Sequence, residues 1–487
     1  MKVKDILIRQ QENDKVAICY RNVEITYKCL YEKASSFSGL IKEIRHNRNV
    51  GIFLNNSIDY AIGYFAVAFL DDIIIPIEDS IKKNMLESIV TYCEISLIIT
   101  NNENYKQLEE MLTDFAYKVD ILNIDTVECI SVGKGERIVQ GSDDEEDVAI
   151  MLHTSGTTSN PKKVMLTNVN LIANIESNIA SIGITENDVC LIVLPMFFGY
   201  CNSSQFLSHL YLGARIVIYD STFTPRKFLQ LIEREKCTNT TCVPSMLFLV
   251  VKNCKREKYD LSSLRYLCFG GGVMPVDMLK RIIAFFDQTG IIQTYGQTEA
   301  SPRVTCLLPE DTKRKIGSVG KAIPNVTVNV FDKDDNPVRL GEIGEIVVKG
   351  PNVMKGYYKK PDLTEYTLRK GWLHTGDLGE FDDEGYLYIV GRIKNIIISG
   401  GLNIYPEEIE EVLINHPKIK EVVVIPEKHD ILGEIPVAKI VQKDNCICDQ
   451  EEIIKFCLSK LPANKVPSKV FFCDELEKTY TGKLKRN

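Results

Sequence analysis

The sequence predicts an α/β protein with a large N-terminal part, a short antiparallel β unit and a compact α+β domain at the C-terminus. Three observations predict it. Apolar runs alternate with segments of helical period as far as YGQTEAS; short strands separated by turn residues follow; and at Asn403 the pattern becomes that of a small helix-and-strand domain.

Taken in order, NVGIFL, LIIT, VAIML, VCLIVLP and ARIVIYD are apolar runs interleaved with helical stretches such as NMLESIVTYC. Such alternation predicts parallel strands joined by crossover helices. The series continues with a helix at KFLQLIEREK, a strand at TNTTCVP, a helix after Pro244, a strand at YLCFGG, a helix from Pro275 and a strand at IIQTYG. No repeat of solenoid length is present. Beyond residue 315, VTVNVFDKDDNPV, GEIGEIVVKG and GYLYIVGR are set apart by Asp, Asn and Gly clusters, the signature of hairpins. In NIYPEEIEEVLINHP, Pro406 suits the first helical position, Glu407 and Glu408 favour the first turn, and Ile409, Val412 and Leu413 form one apolar stripe. EVVVIP and VAKIVQ then predict strands, QEEIIKFCLSKL a helix and KVFFCDEL a strand. The seam before this last domain falls near GRIKN, giving expected units of 1–393, with its β-rich part at about 315–393, and 394–487.

Composition narrows the function. At 487 residues and 45% hydrophobic content the chain holds more than one core. A net charge of −8 excludes a surface built for nucleic-acid backbone or anionic lipid, both of which need clustered cations. The N-terminal MKVKDILIRQQENDK turns polar early, and the longest apolar run, AIGYFAVAFL, is interrupted by Asp71 and Asp72. A cytoplasmic protein without a membrane span is expected. The 15 cysteines are scattered, only Cys446 and Cys448 sitting close, a pattern of buried thiols in a reducing compartment.

The stretch HTSGTTSNPKK directly follows the apolar run VAIML, at the carboxyl end of a strand where ligands of open α/β sheets gather. Its hydroxyls and backbone N–H groups at Thr154, Ser155, Gly156, Thr157 and Thr158 suit polyphosphate oxygens, with Lys162 supplying a cation. It lacks the Gly-Lys-Ser/Thr ending of a Walker A loop. In isolation it is equally a solvated strand-to-helix connection.

Four more motifs follow in order: YGQTEAS, WLHTGDLGEF, GRIKNIIISGGLNIYPEEIE and TYTGKLKR. Together with the loop they resemble the adenylate-forming superfamily, which includes acyl- and aryl-CoA synthetases, luciferases and adenylation domains of peptide synthetases, and the resemblance spans nearly the whole chain. It implies a large AMP-binding domain of two mixed α/β subdomains plus a small β-barrel-like unit, and a small mobile C-terminal domain. It also implies ATP and Mg²⁺: Glu299 matches the Mg²⁺-holding position, a hard cation being suited by oxygen ligands, and Thr298 the hydroxyl beside the α-phosphate. Tyr295 matches the residue that packs on adenine, Gly270, Gly271 and Gly272 the close backbone approach to it, Asp377 the carboxylate for the ribose hydroxyls, Arg392 a second nucleotide contact and Lys394 the hinge. Lys483 matches a lysine carried by the small domain to the carboxylate and the α-phosphate, where charge builds in the transition state. Ser399, Gly400, Gly401, Leu402 and Asn403 match the wall of a pantetheine tunnel used after the small domain rotates.

The segment LPMFFGYCNSSQFLSHLYLGARIVI contains no Asp or Glu between Pro195 and Gly213. A buried substrate ammonium without a carboxylate would be costly, so a simple acyl or aryl acid is expected rather than an amino acid. Phe198 stands where many of these ligases have His, and Phe197, Phe198, Tyr200 and Cys201 are expected to line an apolar acyl pocket. The phosphate loop departs from the family pattern in having Ser159 and Lys163 at usual glycine positions, Lys163 adding a charge suited to pyrophosphate. The expected reaction joins a small-molecule carboxylic acid to CoA through acyl-AMP. The alternative acceptor is the phosphopantetheine arm of an acyl carrier protein; weaker alternatives are a nucleotide-binding pseudoenzyme and an oxygenase of luciferase type.

Overall fold

The computed structural model describes residues 1–138, 147–153, 162–272, 274–444, 446–478 and 484–486. Three sheets organise them. The first runs, from one edge to the other, Gly356–Tyr357, Lys163–Thr167, Val148–His153, Ile73–Pro76, Asn49–Ile52, Leu97–Thr100, Val119–Asn123 and Cys129–Val132. Its centre is parallel; antiparallel pairs close both edges. The second is longer. Arg215–Ile218, Val189–Ile192, Asn239–Cys242, Tyr266–Phe269 and Gly290–Gly296 form its parallel centre, as the alternating pattern predicts. The N-terminal hairpin of Val16–Tyr20 and Val23–Thr26 extends its far edge beside Arg215–Ile218.

Helices lie between and outside these sheets. Tyr27–Ile44, Ile58–Phe69 and Asn168–Ile182 share a core with strand residues of both sheets, among them Ile52, Ile99, Ile192 and Ile216. Pro225–Glu235, Pro244–Asn253 and Val276–Phe285 cover the outer face of the longer sheet. Lys83–Tyr92 and Asn102–Leu112 cover the outer face of the shorter one. The sequence dictates these faces: in Pro225–Glu235, Phe228, Leu229, Leu231 and Ile232 are buried while Arg226, Gln230 and Arg234 face solvent.

The β-rich stretch differs from its expected form. Instead of closing as a barrel-like unit, Arg303–Leu307, Ser318–Ala322, Leu387–Arg392, Trp372–Phe381, Gly344–Lys349 and Thr327–Phe331 continue the longer sheet in antiparallel order. The continuation curls. Four inter-strand steps of roughly 4.8 Å would hold Gly290–Gly296 and Trp372–Phe381 some 19 Å apart in a flat sheet, yet Tyr295 Oη lies 2.8 Å from Asp377 Oδ2.

The third sheet belongs to the C-terminal part: Leu402–Ile404, Ile397–Ser399, Gly433–Gln442 and Ile419–His429 in order, with Lys469–Phe472 parallel to Gly433–Gln442. It has its own core of Ile397, Ile409, Leu413, Val424, Ile440, Ile453 and Cys457. Pro406 is the first residue of the helix Pro406–Ile414, whose buried positions Ile409 and Leu413 are those of the predicted stripe. All fifteen cysteines are free thiols and most are buried. Among the described residues no helix is long and apolar enough to cross a membrane.

Candidate active site

Five separated segments bring charged and aromatic side chains to one place, at the carboxyl end of Gly290–Gly296 and the strands beside it. Tyr295, the penultimate residue of that strand, is buried to 9% exposure and donates its phenol to Asp377 Oδ2 at 2.8 Å. Burial together with the Asp377 charge pushes the Tyr295 phenol far above its ordinary value. Asp377 pairs with Arg392 in the register of their strands, and Arg392 Nε lies 2.6 Å from Asp377 Oδ1. The carboxylate holds the Arg392 guanidinium above its usual value, the interaction outweighing the cost of desolvation.

Glu299 follows on the short 3₁₀ turn Thr298–Ala300. Its Oε1 accepts the Tyr357 hydroxyl at 2.8 Å, and the Lys162 ammonium stands over the same tyrosine ring, 5.4 Å from its centroid. Desolvation raises the Glu299 carboxyl above its ordinary value; the Tyr357 hydrogen bond and the charges of Arg392 and Lys162 oppose that rise. Lys394, in the turn Ile393–Asn395, reaches solvent but is packed on one side, and desolvation, then Arg392 and Lys162, hold its ammonium below the ordinary lysine value. Three cations therefore flank two carboxylates. One carboxylate with a fixed hydrogen-bond donor is a fitting protein ligand for Mg²⁺, which takes one or two carboxylates and leaves its other positions to phosphate and water. Among the described residues no cluster of three His, Cys, Asp or Glu offers a complete metal cage.

The glycines are placed by contact. A Cβ at Gly270 would lie 2.6 Å from both the carbonyl oxygen and Oγ1 of Thr294, and 3.1 Å from the Tyr200 hydroxyl, so only glycine fits there. Tyr200 Oη is itself 2.6 Å from Thr294 Oγ1. Gly271 and Gly272 are exposed beyond it. Phe198 is half-buried and packs on Phe197 with ring centroids 4.6 Å apart. Cys201 is fully buried in the core, next to Tyr60, rather than on a pocket wall.

Other expectations fare differently. Lys163 is a correction: successive strand residues face opposite ways, and while Lys162 faces Tyr357, Lys163 is 0% exposed near Cys93 and is held below its ordinary value by burial. Its charge is not available to a phosphate. Ser399 and Leu402 pair across a two-residue hairpin turn, and Gly400 and Gly401 have φ of 58° and 79°. Their neighbours are those of the C-terminal sheet: Ser399 pairs with Gly433, and Gly400 N–H donates to Leu432 O at 2.8 Å. Thr154, Ser155, Gly156, Thr157, Thr158, Ser159 and Lys483 lie outside the described residues. Close to that lysine in sequence, Arg486 forks onto Glu410, at 2.6 and 2.7 Å, and reaches Glu407 at 3.2 Å. The Glu407 carboxylate also accepts Asn395 Nδ2 at 2.8 Å and lies over Gly391, where a Cβ would meet its Oε2 at 2.8 Å. Tyr357 lies in no motif, its only signal being the pair Tyr357–Tyr358; Glu407 lies within GRIKNIIISGGLNIYPEEIE, where it shows only as part of an acidic first helical turn.

These features together are those of a nucleotide-activating enzyme, and the chain belongs to the AMP-binding enzyme family: residues 8–358 match its family model and residues 408–483 match that of the AMP-binding enzyme C-terminal domain. Among particular relatives, it is 32% identical over 478 residues to a 2-succinylbenzoate–CoA ligase of Bacillus cytotoxicus, covering 97% of this chain and 95% of the relative. A feruloyl-CoA synthase of an Amycolatopsis species is 35% identical over 373 residues, covering 74% of this chain and 75% of that one. The solved structure of o-succinylbenzoate CoA synthetase from Bacillus subtilis with its acyl-adenylate intermediate superposes with a TM-score of 0.87 at 28% identity, covering 99% of this chain and 97% of that chain.

Proposed function

We propose that this protein is an ATP- and Mg²⁺-dependent acid–thiol ligase: a carboxylate and ATP give acyl-AMP and pyrophosphate, and CoA then takes the acyl group as a thioester with release of AMP. The observation that carries the reading is the convergence of Lys162, Glu299, Asp377, Arg392 and Lys394 from distant parts of the chain into one cluster of mutually interacting charges, in which Tyr295, Asp377 and Arg392 are joined directly and Glu299 is held by Tyr357. Adenylation brings together two anions, and a site that accelerates it must offset their repulsion and meet the charge that grows on the phosphoryl oxygens. Lys162 and Arg392 supply fixed positive charge, Thr298 a hydroxyl, and Asp377 acceptor oxygens of the kind that suits ribose hydroxyls. Tyr295 flanks the adenine; Gly271 and Gly272 leave room beside it. Glu299 would hold Mg²⁺, which neutralises polyphosphate charge when bound. The loop Thr154, Ser155, Gly156, Thr157 and Thr158 wraps the phosphates.

In this reading residues 1–393 form the AMP-binding unit and 394–487 a small unit that turns about Lys394. One orientation delivers the Lys483 ammonium to the reacting carboxylate and α-phosphate; the other withdraws it and brings Ser399, Gly400 and Gly401 alongside the pantetheine arm. Work inside the reducing cytoplasm fits the free thiols. The 2-succinylbenzoate–CoA ligase and feruloyl-CoA synthase relatives support CoA as the thiol and an aryl-containing acid as the substrate. Carboxylate-dependent exchange of labelled pyrophosphate into ATP, followed by CoA-dependent release of AMP, tests the proposal. Exchange with no acid of an aliphatic and aromatic panel defeats the ligase reading; thioester formed on a holo-carrier protein but not on CoA replaces the thiol.

A further inference from the structure

Outside the cluster described above lies a buried arginine without a task. Arg303 begins the strand Arg303–Leu307, four residues after Glu299, and is 2% exposed. Its partners are neutral. A terminal guanidinium nitrogen donates to Asn178 Oδ1, the Tyr200 phenol and the Cys268 thiol lie against it, and Nε has no partner at all. Among the described residues none of its contacts is a carboxylate. Other low-exposure cations are matched: Lys315 lies 2.8 Å from Asp382 and 2.5 Å from Glu384, and Arg215 lies 2.8 Å from Glu24 and 2.9 Å from Glu235. Lys163 is buried without an acid too, but a lysine can shed its proton and an arginine cannot. An arginine that stays charged in a dry, neutral setting calls for an anion.

Its position says where that anion comes from. Tyr200, which touches Arg303, also meets Thr294 and stands over Gly270, and its neighbour Gly199 faces Thr298. Arg303 thus lies against Tyr200, an expected lining residue of the acyl pocket, in a region where Pro195 to Gly213 contribute no acid. A planar fork of donors is suited to a carboxylate, which it can grip through two parallel hydrogen bonds.

We propose that the acid activated by this protein carries a second carboxylate and that Arg303 receives it at the floor of the acyl pocket. This rests on the ligase reading above and adds the substrate class. Titration calorimetry on the full chain decides it, with diacids set against matched monoacids: 2-succinylbenzoate against 4-oxo-4-phenylbutanoate and 2-butanoylbenzoate, and suberate against octanoate. The wild type binds at least one diacid on the order of 10- to 100-fold more tightly than its monoacids. Arg303→Gln abolishes that margin while leaving monoacid affinity in place, which also shows that the pocket is intact; Arg303→Lys keeps part of it. Equal affinities of wild type for diacids and monoacids overturn the proposal, as does a margin that survives in Arg303→Gln. Where the Gln variant does not fold, the wild-type comparison and the Lys variant decide. Binding is read without turnover, so absence of pyrophosphate exchange would count against the ligase reading and not against the Arg303 assignment.

Discussion

Two groups of glycines sit beside candidate chemistry, and they are glycine for opposite reasons. At Gly270 the backbone is pressed against Thr294 and Tyr200, and a single added carbon would collide at 2.6 Å. At Gly401 nothing lies within 4 Å, but φ is 79°, a left-handed conformation that side chains resist. The first belongs to a tightly packed, pre-assembled cluster; the second to the tip of an exposed hairpin. On the proposed reading, the contrast teaches that adenylation would draw on groups locked together by packing between distant strands, whereas the thiol step would draw on a segment whose shape is set locally.

Four substitutions test that contrast, from the largest effect downward. If adenylation is completed from the C-terminal unit, Lys483→Ala lowers acyl-AMP formation on the order of 10²- to 10³-fold, while thioester formation from supplied acyl-AMP is spared; equal loss in both half-reactions breaks the division. Gly270→Val forces overpacking at roughly 1–3 kcal/mol, seen as a lower melting temperature together with weaker ATP binding. Gly401→Val introduces left-handed strain of about 1–2 kcal/mol at the hairpin tip, expected to slow the CoA step and leave pyrophosphate exchange unchanged. Tyr357→Phe sharpens the comparison most finely. Burial already raises the Glu299 carboxyl, and the Tyr357 hydroxyl stabilises its charged form. Losing that donor raises it further, so the acid limb of the exchange rate moves to higher pH while the plateau falls by less than about tenfold.

Much of this was legible beforehand because motif and periodicity are local properties. The alternation of apolar runs predicts the parallel centre of both sheets, and Pro406 with its acidic turn predicts a helix start that the structure shows. Tyr295, Glu299, Asp377 and Arg392 come together as their motifs imply. What was not legible depends on distance in the chain or on burial that polarity conceals. Tyr357 reaches Glu299 from 58 residues away. Asn202–Leu207, four of whose residues are polar, forms a π-helix whose six residues are all buried. Its side chains find partners inside the protein, Ser203 Oγ donating to Ser301 O at 2.7 Å and Gln205 Nε2 to Leu191 O at 3.2 Å. The charge of Lys163 suits pyrophosphate when read from the loop motif, and the motif does not show the strand alternation that turns this side chain into the core beside Cys93.

The curl of the longer sheet has a mechanical corollary. Tyr295 and Asp377 sit on strands joined through a continuous ladder of backbone hydrogen bonds, so neither can swing away alone: the two strands would have to unzip as one cooperative piece. Amide exchange in Gly290–Gly296 and Trp372–Phe381 should accordingly be slow and matched. Any swivel demanded between the two half-reactions is thereby relegated to the chain after Arg392, where the ladder ends.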